Sequence, residues 1–203
     1  DNFTKALIEF AEYPIPVETF GALRFDFPAV NGNYIIEEPT SKIFKRVLYA
    51  FPVHIYQYQQ IIQDLIDVFQ GTEIEVHLKY HPLFQSSVNN IQLPSNFKVW
   101  AQDNNKKLNA TYDVVLFNDN SFGIESLLMG VKSYEYNFDE IYDENRLFDF
   151  DLYDYCVGKK GLIKLRDSIL NNSISKELEQ EYIQQYIGNM YRVYNGSINH
   201  IFN

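Results

Sequence analysis

The sequence predicts an α/β protein: a parallel sheet flanked by helices, followed by a helical C-terminal tail. Three observations carry that expectation. Short runs rich in β-branched and aromatic residues alternate with amphipathic stretches of helical length between Val47 and Tyr136. The strongest of these runs are almost continuously apolar, as strands are when helices cover both faces of a sheet. No repeat of fixed period, low-complexity tract or Gly/Ser linker interrupts the pattern.

Residues 1–46 read as a lead-in segment. A weak helical pattern (Phe3, Ala6, Leu7, Phe10) is broken by Pro14 and Pro16, and Val17 to Phe20 suits a short strand. Asn31-Gly32-Asn33 reads as a turn, and Glu37 to Lys45 as a polar connector containing Pro39. The main domain is expected over 47–170. VLYAF, Val47 to Phe51, is its first strand. Ile55, Gln59, Ile62, Leu65, Ile66 and Phe69 then put apolar groups mainly on one side of a helix, which Gly71 stops.

IEVHLK (Ile74 to Lys79) and FKVW (Phe97 to Trp100) are the next strands, and a polar helix is expected near Asp103 to Asn109. DVVLF, Asp113 to Phe117, is the most strand-like run in the chain. A helix opens at Ser121 and ends at Gly130, and VKSYEY (Val131 to Tyr136) is the following strand. After Asp149 the pattern weakens. The tail, 171–203, is expected to hold helices over 175–187 and from Met190 to about Ile201.

Length and composition bound the function classes. At about 150 residues per domain, 203 residues make one domain with room for an extra hairpin or tail. The net charge of −10 repels phosphate backbones and anionic lipid, so no nucleic-acid partner is expected and membrane association is at most peripheral. No apolar run approaches the roughly 20 residues of a bilayer span, and DNFTKALIEF lacks a signal-peptide pattern. One cysteine, Cys156, cannot form an internal disulfide. That fits a reducing, cytoplasmic location. The first residue is Asp, which suits a processed chain or a piece of a longer one.

In a parallel sheet, ligands sit beyond the carboxyl ends of the strands. The candidate residues therefore lie after Phe51, Lys79, Phe117 and Tyr136. In Lys79-Tyr80-His81-Pro82, the proline restricts His81 to an extended conformation at a strand end. An imidazole there can donate to a phosphate oxygen or protonate a leaving group; the competing reading is a loop histidine capping a backbone carbonyl. In the segment Asn118 to Glu125, Ser121 occupies an N-cap position and Gly123 would let an anion approach backbone N–H groups at a helix start. Glu125, one turn in, can reach a ribose diol; alternatively Ser121 and Glu125 only stabilise the first turn.

His54, after Pro52, is a further lining candidate, whereas His77 lies inside a strand and His200 in the tail. Four scattered histidines and one cysteine give no zinc spacing, so no metal site is expected. Asp139, Glu140, Asp143 and Glu144 read as a solvated loop, with Mg²⁺ beside a nucleotide as the alternative. No Gly-x-Ser-x-Gly elbow is present and no motif surrounds Cys156, which argues against nucleophilic hydrolase chemistry.

Three segments, in order, resemble one family. Gly21-Ala22-Leu23-Arg24-Phe25-Asp26 is similar to the G-x-x-R-F/Y-D hinge that opens the C-terminal half of many GT-B glycosyltransferases. Lys79-Tyr80-His81-Pro82 resembles the K-x-HP motif of bacterial capsule and lipooligosaccharide transferases that use CMP-activated Kdo or sialic acid, and of related glycerol-phosphate polymerases. Ser121 to Gly130 resembles the family's S-x-x-x-E-(A/S)-L-x-x-G segment, with Asn120 where a Ser or Thr is usual and Lys132-Ser133 where a Pro is usual.

The resemblance spans about 17–140 and implies a Rossmann-like, donor-binding half of a glycosyltransferase in bacterial surface polysaccharide biosynthesis. His81 would contact the donor phosphate and assist leaving-group departure. Ser121 and the backbone of Phe122 and Gly123, beside Asn120, would hold phosphate, and Glu125 the ribose. The donor would be a CMP-, UDP- or CDP-linked sugar and the acceptor a glycan or glycolipid. The general base would come from an N-terminal GT-B half that this sequence does not show, so the isolated chain is expected to be inactive. Two other readings stand beside it. A sugar-nucleotide 2-epimerase shares the architecture but needs further acidic and basic groups. A non-catalytic Rossmann-like module could instead dock a protein through Tyr182, Tyr186, Tyr191 and Tyr194, although ordinary helix packing also explains those tyrosines.

Overall fold

The computed structural model describes residues 29–30, 33–52, 58–81, 92–101, 107–118, 120–137, 154–178, 180–181 and 183–184. The chain forms two compact units, 37–178, and 1–36 with 179–203. In the second of these, β1 (Ala29–Val30) and β2 (Asn33–Tyr34) pair antiparallel. The expected turn residues Asn31 and Gly32, the hinge-like segment 21–26 and the tail tyrosines lie outside the described residues.

The larger unit is one sheet of β3 (Arg46–Ala50), β4 (Glu75–Lys79), β5 (Phe97–Val99), β6 (Val114–Phe117), β7 (Ser133–Asn137) and β8 (Asp154–Val157). The strands lie in the order β5-β4-β3-β6-β7-β8 and every neighbouring pair is parallel. Counted from β3, this is the 3-2-1-4-5-6 order of a Rossmann-like, doubly wound sheet, whose direction of winding reverses between β3 and β6.

Strand alternation sorts the core onto two faces. Val47 and Tyr49, Val76 and Leu78, and Val114 and Leu116 face α1 (Tyr58–Phe69) and α3 (Gly158–Leu170), whose Ile61, Leu65, Phe69, Leu162, Leu165 and Ile169 complete that cluster. Leu48 and Val115 face the other way, with Tyr112 and Val131, against Trp100, Leu108 and Phe122. Phe122 opens α2 (Phe122–Leu128). Because Val47 to Ala50 of β3 and all of β6 are buried on both faces, they read in the sequence as unbroken apolar runs.

Two buried carboxylates tie the layers together. Asp64 of α1, 4% exposed, accepts hydrogen bonds from Tyr136 Oη of β7 (2.7 Å) and Gln60 Nε2 (2.8 Å), with Lys159 Nζ of α3 at 3.3 Å. Asp113, 1% exposed, accepts from the backbone N–H of Phe44 (2.8 Å) and Arg46 (2.9 Å) and pairs with Lys176 Nζ at 2.7 Å. Buried charges persist when they are paired and hydrogen-bonded in this way.

Several sequence expectations need correction. The helix expected near Asp103 to Asn109 is, in its described part, a single 3₁₀ turn at Leu108–Ala110. That stretch has no apolar stripe to bury, and helical stability comes mainly from such a face. The helix expected from residue 175 does not begin there: 173–178 are irregular, with Ile174 buried and Lys176 drawn to Asp113. The strand expected over Val131 to Tyr136 starts at Ser133, because Gly130 turns the chain at φ +72° and Val131 N–H closes the end of α2 on Ser126 O. β8 and α3 are additions to the expected elements.

Candidate functional site

The winding reversal between β3 and β6 opens the crevice in which doubly wound sheets bind ligands, at the carboxyl edge. The end of β3 organises this edge. Phe51 N–H donates to Lys79 O of β4 (3.0 Å), while Ala50 O accepts from Asn120 Nδ2 (2.9 Å) in the loop after β6. The strand ends carrying the two motifs are therefore hydrogen-bonded to adjacent residues of one strand.

On the β4 side, Tyr80 is buried and its ring stacks on Phe51 at 5.0 Å; Phe51 in turn meets Tyr58 at 4.5 Å. Tyr58 Oη donates to Pro52 O (2.7 Å) and accepts from the backbone N–H of His81. Burial nevertheless raises the Tyr58 pKa, so the phenol stays protonated and keeps both bonds. His81 is thereby held at the carboxyl edge, half-buried and pinned through its backbone to the first residue of α1.

On the β6 side, Asn120 does the capping that the sequence assigns to Ser121. Its Oδ1 accepts Phe122 N–H (2.9 Å), and its Nδ2 donates to Ala50 O and Asn118 O, both at 2.9 Å. Ser121 has helical dihedrals (φ −71°, ψ −8°) and makes no side-chain cap bond; its Oγ donates to Glu125 Oε1 at 3.0 Å. Gly123 is explained by packing, since a Cβ there would stand 2.5 Å from the Phe117 ring. Asn118 Nδ2 donates to Tyr136 O (2.8 Å), fixing the same loop to β7. The Phe122 N–H and the Asn120 and Ser121 side chains are thus already engaged within the protein.

The residue that spans the crevice is Lys79, which the sequence reading quotes within its motif without giving it a role. Lys79 Nζ lies 4.5 Å from the Phe122 ring centroid and 5.5 Å from that of Trp100, a cation–π arrangement that brings a positive charge to the first turn of α2. The signal was available: Lys79 and His81 are two apart, the spacing of one strand face. His54 and the acidic run Asp139 to Glu144 lie outside the described residues. Among the described residues, no group of His, Cys, Asp or Glu is placed to hold a metal ion, and no helix is long and apolar enough to cross a membrane. Cys156 is buried, which pushes its thiol pKa up to about 12.

The fold is that of a Rossmann-like α/β protein, with the ends of β3, β4 and β6 meeting at the winding reversal. No family model matches the chain, and no curated protein matches it. Among solved structures it is similar to the wall teichoic acid polymerase TagF, with 15% identity over 75% of this chain and 38% of that one, at a TM-score of 0.43. It is also similar to the spinosyn rhamnosyltransferase SpnG (12% identity, 83% of this chain and 50% of that one, TM-score 0.45). A third is the C-terminal domain of a glycosyl transferase group 1 family protein, LpcC, from Francisella tularensis (11% identity, 82% and 96% coverage, TM-score 0.42). The chain thus spans at most half the length of the first two.

Proposed function

We propose that the unit 37–178 binds the nucleotide-sugar donor of a GT-B glycosyltransferase that builds a bacterial surface polysaccharide. One observation carries this reading: the motif-bearing ends of β4 and β6 are both hydrogen-bonded to the end of β3, at the winding reversal. A donor's phosphate in this crevice would meet Lys79 beside the first turn of α2, and His81 at the end of β4. Lys79 balances phosphate charge in a protein of net charge −10. His81 donates to the phosphate as the acceptor hydroxyl attacks the anomeric carbon and the nucleotide departs. Glu125 faces the ribose, and Ser121 would exchange its bond to Glu125 for one to phosphate.

Thermal unfolding with CMP, CDP, UMP and UDP tests this. At a ligand concentration a hundred times the dissociation constant, binding adds about 2.7 kcal/mol. That is a rise in Tm of roughly 5–11 °C for a chain of this size. One base should be preferred, and Lys79→Gln and His81→Ala should each reduce the rise while leaving the ligand-free Tm in place. A chain stabilised by none of the four would overturn the reading and leave a partner-binding module.

A further inference from the structure

On the sheet face opposite α1 and α3, toward the amino ends of β3 and β4, lies a cavity of about 320 Å³ whose lining includes Arg46, Glu75, His77, Lys98, Trp100 and Tyr112. Its walls are built by a chain of hydrogen bonds. The indole N–H of Trp100, which can only donate, donates to Tyr112 Oη. The Tyr112 hydroxyl is in turn hydrogen-bonded to His77 Nδ1, 2.7 Å away. His77 Nε2 stands 3.3 Å from Glu75 Oε1, too poorly aligned for a full hydrogen bond. Glu75 also accepts Arg46 Nε at 2.7 Å and pairs with Lys98. Burial, with the Arg46 and Lys98 charges nearby, lowers the pKa of His77 against the raising effect of Glu75, which favours the neutral imidazole.

With the Trp100 N–H and the Tyr112 hydroxyl engaged inside the protein, this wall offers a ligand the carbon faces of an indole and a phenol. Two cations face one carboxylate across the opening, which leaves one positive charge over in a strongly acidic protein. Guanidinium groups bind carboxylates through paired N–H donors, and Arg46 uses only its Nε toward Glu75. The volume sits at the lower bound of small-molecule sites, enough for a single substituted ring and too small to enclose most of a nucleotide.

We infer that this cavity is a second ligand site, separate from the crevice, that takes a monoanion in which a carboxylate is borne on one ring. A carboxylated sugar and an aromatic acid share that chemistry, and the test separates them.

Trp100 is the only tryptophan in the chain, so its fluorescence reports on the cavity wall. The full chain is titrated with glucuronate, benzoate and their neutral counterparts glucose and benzyl alcohol. The inference expects a saturable change with at least one acid, at concentrations up to about 10 mM. The neutral partner should give none, and the acid that responds identifies the source. Lys98→Glu reverses a charge on a side chain that is 60% exposed, so the fold is kept. It should weaken the acid at least tenfold while leaving nucleotide-induced thermal shifts unchanged. No saturable response to either acid, equal responses to acid and neutral partner, or unaltered affinity in Lys98→Glu would each overturn the inference.

Discussion

Replacing Asn120 by alanine distinguishes a residue that holds the crevice together from one that holds a ligand. The substitution removes three hydrogen bonds of 2.9 Å: two donated by Nδ2, to Ala50 O and Asn118 O, and one accepted by Oδ1 from Phe122 N–H. At a net contribution of about 1 kcal/mol each, the ceiling is about 3 kcal/mol. Asn120 is half-buried, so water recovers part of this, and the expected loss is about 2 kcal/mol, or roughly 4–8 °C in Tm.

Asn120→Asp sharpens the test. It keeps the acceptor for Phe122 N–H and adds negative charge at a helix start, a gain of about 0.3–1 kcal/mol. It also turns two donated bonds into contacts between a carboxylate and carbonyl oxygens, and so remains less stable than the parent. The assay is urea unfolding followed by circular dichroism, run alongside nucleotide titration. An Asn120→Ala protein as stable as the parent but deaf to nucleotide would refute the reasoning, because the side chain would then act on ligand alone.

Three further outcomes are expected. Asp113→Ala strands the Lys176 ammonium, 10% exposed, and two backbone N–H groups, and should cost about 3–5 kcal/mol by urea unfolding; adding Lys176→Met should recover part of it, and additive losses would contradict the pairing. Desolvation pushes the Glu75 carboxyl up, but hydrogen bonds from Lys98 and Arg46, with His77 close by, outweigh it and hold the pKa at about 2, below the ordinary 4.5. The unfolded chain then takes the proton first, so this stability is present above pH 4.5 and lost as pH falls toward about 2. Urea midpoints measured down that range should fall less steeply in Glu75→Gln. Gly130 and Gly71 both have positive φ, +72° and +73°, but a Cβ at 130 would meet Glu37 O at 2.5 Å whereas one at 71 meets nothing within 4 Å. Thermal unfolding should therefore show backbone strain of about 1–3 kcal/mol in Gly71→Ala and a larger loss in Gly130→Ala.

The seven elements from β3 to β7 were legible because burial writes itself into the sequence: β3 after Arg46 and all of β6 are apolar without a break, and α1 carries a clear stripe. β8 and α3 were not. β8 has four residues, the first an aspartate, and α3 opens on Gly158-Lys159-Lys160-Gly161, which reads as a turn. Its stripe, Leu162, Leu165 and Ile169, is only three residues wide. Gly161 is there for packing, since a Cβ would come within 2.9 Å of the Cys156 backbone. Spacing alone cannot announce such a contact.

At the crevice, the strand-end logic located the segments, but the division of labour among their side chains depends on three-dimensional partners. Ala50 O is seventy positions from Asn120, so nothing local reveals that Asn120 staples two strands. Lys79 likewise owes its position to Trp100 and Phe122, which the sheet brings to it across β5 and β6.

The most direct measurement is amide chemical-shift mapping of the ¹⁵N-labelled chain as the preferred nucleotide is added. Saturable shifts should concentrate at Lys79 to His81 and at Asn120 to Gly123, the two strand ends joined through Ala50 and Phe51. Shifts confined to α3, or to the β1–β2 hairpin, with those two segments silent, would contradict a nucleotide site at the carboxyl edge.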